Sequence, residues 1–125
     1  MKIAVLVARI LLGLIFLVFG LNGFLNFLHM PTPPGPAGQY VGVLFMSHYL
    51  HVVFLLEIVG GALLLSGQFI PLALVLLGPV IFNILLFHAF LFPAGFPPAL
   101  FATLLWFVIF FWTRRAFAGI FVQKV

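Results

Sequence analysis

Apolar positions run almost unbroken along this chain, and the few interruptions divide it into segments. The first run extends from Ile3 to Leu28 and is broken only by Arg9, Asn22, Asn26 and scattered glycines. It is too long for the ~7–15-residue apolar part of a signal peptide, so a spanning helix that stays in the membrane is expected over residues 3–28. Prolines 31, 33, 34 and 36 then fix φ and remove backbone donors, which makes residues 30–38 an extended loop. The mildly apolar stretch from Ala37 to Ser47 is too short to cross a bilayer and predicts a short interfacial helix. A second run fills residues 49–66 and closes on Ser66, Gly67 and Gln68, a turn tight enough to send the next helix back antiparallel. The third span, 69–91, has Pro71 in its first turn, where the missing donor costs nothing. Prolines 93, 97 and 98 mark another loop over 92–98. The last span, 97–113, ends on Trp112, Arg114 and Arg115, the aromatic and cationic edge of a water interface. The pattern predicts one all-α domain: an integral membrane four-helix bundle with a short interfacial helix between helices 1 and 2.

Composition sharpens that class. Hydrophobic residues make up 66% of the 125 positions and charged residues 5%, where soluble domains carry about a quarter charged. With no cysteine, the chain holds no disulfide, runs no thiol exchange and builds no thiolate metal site. The net charge of +4 comes from Lys2, Arg9, Arg114, Arg115 and Lys124, near the two ends of the sequence, and both proline-rich loops lack basic residues. The positive-inside rule therefore places both termini in the cytoplasm and both loops outside, in a cell inner membrane. The lipid bilayer is the expected partner, and nothing points to nucleic acid.

Candidate chemistry is confined to a few polar residues. Glu57 is the only carboxylate side chain in the sequence and stands at the middle of the second span. An ionisable group at that depth costs ~2.5–3.5 kcal/mol, so it has to stay protonated or find a partner, and it is a functional-site candidate by default. Counted from the helix ends at ~1.5 Å per residue, Arg9 and Glu57 lie at similar depths. Arg9 shares a stripe with Gly13, Gly20 and Gly23, and Glu57 shares one with Gly60 and Gly61, so both are expected to face into the bundle. Two readings follow for this pair: a structural ion pair that locks two helices in register, or a Glu57 that handles a proton or a ligand. Asn22, Asn26 and Asn83 are expected to hydrogen-bond between helices. All four histidines, His29, His48, His51 and His88, fall at the outer side. There they serve either as interfacial residues or as partners for a polar-headed, lipid-soluble ligand such as a quinone. His48 and His51, at i and i+3, lack an acidic partner on that side, so no metal site is expected. No pattern identifies a catalytic group. Four short helices leave little room for a solute or proton path unless the chain forms a homo-oligomer.

Taken in order, Ala8-Arg9 with Gly13, then Phe19-Gly20 with Asn22, then Leu56-Glu57-Ile58 with Gly60-Gly61, then Pro79 with Asn83, resemble the DoxX family of small bacterial membrane proteins. Where many relatives carry a lysine after the first glycine-rich segment, this chain has Asn22-Gly23. The resemblance implies a four-helix membrane bundle. The family includes the small subunit of a thiosulfate:quinone oxidoreductase and members tied to redox-stress complexes, while most members have no established activity. With the polar residues above, the reading is a redox-associated subunit that offers a quinone-type or other lipid-soluble ligand a pocket between the outer histidines and the Glu57 and Asn83 layer, with a redox partner protein supplying the electron carrier. The alternatives are a scaffold or assembly protein held by an Arg9–Glu57 pair, and a small-solute or proton carrier.

Overall fold

The computed structural model describes residues 2–124, in which five α-helices and two 3-10 segments follow one another without a strand. The α-helices are α1 (Lys2–Leu25), α2 (Gly35–Met46), α3 (Tyr49–Ser66), α4 (Ile70–Phe90) and α5 (Phe96–Thr113). Single-turn Pro93–Gly95 precedes α5, and Arg114–Phe121 extends it. Four of these segments are long and apolar enough to cross a membrane, and α2 is not. The chain is a multi-pass, all-α membrane protein.

Local sequence explains where the helices stop. α1 ends at Leu25, short of the expected Leu28, because Asn26 turns left-handed at φ 51°. Asn22 then grips the departing chain: the Leu28 amide donates to its Oδ1 at 2.6 Å, and its Nδ2 donates to the Leu28 carbonyl at 3.3 Å. A short polar side chain thus satisfies backbone groups that the broken helix leaves behind. α3 closes on Gly67 at φ 74°, whose amide reaches the Leu63 carbonyl at 3.0 Å while Gln68 reaches the same oxygen at 3.3 Å. That left-handed cap suits glycine, which has no Cβ to strain. α4 runs unbroken through Pro79, and Asn83 Nδ2 donates back to the Pro79 carbonyl at 3.0 Å.

α1 packs against α3 and α5, and α4 packs against the same two, so the four spans close a ring with α2 laid on α3. Leu12, Leu64, Leu74, Leu77 and Ile109, one or two from each span, are the largest fully buried side chains. The α1–α3 contact is the closest. A Cβ built on Gly61 would lie 2.7 Å from both the Gly13 carbonyl oxygen and the Leu17 nitrogen, so backbone meets backbone there. Outward-facing Leu6, Val18, Leu55, Val75, Leu104 and Phe111 stay exposed, as lipid contact requires. Both ends of the described chain and the Gly67 turn share one end of the bundle; α2 caps the other.

Candidate functional site

A cavity of about 370 Å³ opens between α2, α3 and α4. Tyr49, Leu50, Val53, Leu56 and Glu57 supply one wall, spaced at three and four residues so that they share a face of α3. Pro79, Val80, Asn83, Ile84, Phe87 and His88 do the same on α4, and Tyr40, Val41 and Leu44 of α2 form the roof. Because α3 and α4 are antiparallel, Glu57 and Pro79 lie at the floor, near mid-bundle, while Tyr49 and His88 lie at the mouth. Asn83 is one turn above the floor, ~5 Å along the axis from Val80. Asn83 and Pro79 are both exposed, so the cavity has a side window at a depth where the bundle faces lipid.

Glu57 is 7% exposed, with its Cβ beside Gly20 of α1, where a larger residue would displace it. Among the described residues no cation and no hydrogen-bond donor meets its carboxyl. The ion pair expected with Arg9 does not form. Arg9 Nε donates instead to the Leu64 carbonyl at 2.9 Å, and its guanidinium lies against Gly67. Leu64 is two turns beyond Glu57, ~10 Å further along the axis. The register explains the shift: with Gly13 against Gly61 and Gly20 against Glu57, Arg9 comes level with the end of α3. There it adds a charged donor to a carbonyl that the Gly67 amide reaches only at 3.3 Å, at the negative end of the helix dipole.

The asparagines and histidines also separate. Neither Asn22, bonded to Leu28, nor Asn83, bonded within α4, bridges two helices as expected, and Asn26 is exposed at the end of α1. Only His88 of the four histidines lines the cavity. Its Nδ1 donates to the Phe92 carbonyl at 2.9 Å, and its ring lies where a Cβ on Gly95 would clash. A carbonyl only accepts, so Nδ1 carries a proton in this contact, and Nε2 has no partner among the described residues. His51 lies instead in an aromatic cluster, 5.5 Å from Phe24, 5.4 Å from Phe45 and 5.1 Å from His48 between ring centres, with Nδ1 buried and unpaired. His48 sits exposed in the left-handed turn before α3, and His29 is exposed in the first loop. No group of three or more His, Asp or Glu among the described residues is placed to hold a metal.

Sequence reasoning passed over Tyr40, Tyr49 and Phe87, which become neighbours only when α2 folds across α3 and α4. Tyr40 and Phe87 stack at 5.7 Å. It also passed over Trp106, whose Nε1 donates across to the Leu74 carbonyl at 3.1 Å and ties α5 to α4. A tryptophan deep in an apolar span has an N–H that needs a partner, and that was the available signal.

The DoxX family model matches residues 4–89, more than half of the chain. The chain belongs to the DoxX family. The match takes in α1 to α4 and every residue that lines the cavity, and it stops before α5. No curated protein and no solved structure matches this DoxX chain at the stringency applied.

Proposed function

We propose that this DoxX-family protein is an intramembrane binding subunit that takes a lipid-soluble molecule by its polar head. The observation that carries the reading is the side window: a cavity floored by the unpaired Glu57 carboxyl opens beside Asn83 at lipid depth, below the α2 roof. Buried charge and exposed amide are both costly in a bilayer, and a bound polar head relieves both. The apolar walls, Val41, Leu44, Leu50, Val53 and Ile84, suit a hydrocarbon body. A quinone-type ring is a neutral head of suitable size, which a protonated Glu57 meets by donating to a ring carbonyl. In a redox-associated role a partner protein supplies the electron carrier. Lys2, Arg114, Arg115 and Lys124 gathered at the end opposite α2 support an inner-membrane orientation with that end cytoplasmic. The scaffold alternative loses the Arg9–Glu57 pair on which it rested.

The test is to purify the protein in mild detergent and identify by mass spectrometry what co-purifies. The parent chain is expected to carry a lipid-soluble molecule at near-stoichiometric level, and Val53→Trp, which fills the cavity, is expected to lose it. Equal recovery from both proteins contradicts the reading.

A further inference from the structure

We infer that the head group this cavity selects is an ammonium: the ligand class is a lipophilic primary or secondary amine, held by Glu57 with Asn83. The inference rests on the reading of the cavity as a ligand site and names the chemistry of the head.

The argument is an inventory of free hydrogen-bonding groups. Glu57 lines the floor, 7% exposed, and both carboxylate oxygens lack a partner among the described residues. Asn83 commits an N–H to the Pro79 carbonyl, which fixes its amide orientation and leaves Oδ1 free to accept. His88 commits Nδ1 to the Phe92 carbonyl and leaves Nε2 without a partner among the described residues, nearer the mouth. Against these acceptors stand one remaining Asn83 N–H and the rotatable hydroxyls of Tyr40 and Tyr49, none of them bonded to the Glu57 carboxyl. A head that brings only acceptors, such as a ring dione, is met at the floor only by a protonated Glu57 and leaves the Asn83 Oδ1 unsatisfied. A head that brings only donors satisfies it, and an ammonium has no acceptor at all.

Charge points the same way. A carboxyl buried at lipid depth stays protonated or takes a positive partner, and no cation among the described residues reaches Glu57. Arg9 is engaged at Leu64 and Gly67, two turns away. Lys2, Arg114, Arg115 and Lys124 sit at the far end from the cavity mouth. The positive charge is therefore left for the ligand to supply. Above the floor, Phe87 and Tyr40 present stacked aromatic rings at 5.7 Å, with Tyr49 beside the mouth, surfaces that attract a cation as it passes inward. The hydrocarbon body then lies along Val53 and Ile84 toward the window beside Asn83.

The experiment compares 4-phenylbutylamine with 4-phenylbutanol, which share ring and chain and differ in the head, on the full chain in zwitterionic nanodiscs. A short-tailed benzoquinone is the third probe. Binding is read as displacement of a fluorescent alkylamine and checked by thermal shift. The amine is expected to bind at least tenfold tighter than the alcohol, an advantage that disappears in Glu57→Gln and persists in Glu57→Asp. Equal binding of amine and alcohol, or an advantage that survives Glu57→Gln, overturns the inference; if the alcohol or the benzoquinone binds in those cases, the ligand-site reading stands without it. Failure of all three probes to bind overturns both. If Glu57→Gln does not fold, the amine-to-alcohol ratio in the unmodified chain decides alone.

Discussion

Two charged side chains enter the bundle interior, and the protein treats them in opposite ways. Arg9 lies where α1 and α3 meet backbone to backbone, and its guanidinium is absorbed by the end of α3 through the Leu64 carbonyl and the Gly67 turn. Glu57 lies on α3, two turns before Leu64, shares a face with cavity residues, and meets no partner among the described residues. One side chain completes the fold; the other has no partner among the described residues. The difference is set by register, since glycines slide α1 along α3 until the two charges pass out of reach. The α1–α3 seam is tight because small residues admit no side chain between the helices. The α2–α3–α4 region is open because a short helix, bridged by aromatic rings, takes the place of a span.

Breaking the seam gives the largest effect. Gly61→Val drives a branched side chain into the Gly13 carbonyl and the Leu17 nitrogen, and backbone cannot swing aside as a side chain can. It is expected to cost about 3 kcal/mol or to abolish folding, read by thermal unfolding in mild detergent. Parent-like melting contradicts the packing described. Arg9→Leu comes next. It leaves the Leu64 carbonyl without its charged donor, and a loss of about 2 kcal/mol is expected in the same measurement. Arg9→Lys, which keeps the charge but loses the planar fork, is expected to fall between the two. The smallest effect on stability belongs to Glu57→Gln. Since no internal partner is lost, the melt is expected to stay within about 1 kcal/mol of the parent or to rise, while ligand binding is impaired. A large destabilisation would show that Glu57 serves the fold after all.

The architecture was legible because a bilayer leaves few options. Long apolar runs become spans, the stretch with Pro31, Pro33 and Pro34 separates α1 from α2, the Pro93 turn separates α4 from α5, and Gly67 forces the hairpin between α3 and α4. The burial of Glu57 inside the bundle was legible for the same reason: one acid at mid-span is conspicuous. Its relation to Arg9 was not. Depth was counted from helix ends taken as level, whereas the glycines that set the register occur on both helices with nothing in the sequence to say which pair meets. Asn22 was misjudged because α1 ends earlier than its apolar run does, which turned a spanning position into a cap. Tyr40, Tyr49 and Phe87 were invisible for a third reason. They converge only through the placement of α2, which depends on the left-handed His48 and the packing of a helix too short to announce its own face.

The central claim, that Glu57 has no partner among the described residues, is tested most directly by a double-mutant cycle on unfolding free energy. Arg9→Leu and Glu57→Gln are made singly and together. The two effects are expected to add within about 0.5 kcal/mol, as for residues without a shared contact. A coupling energy clearly above about 1 kcal/mol would mean that the guanidinium and the carboxyl do meet, and would contradict the account.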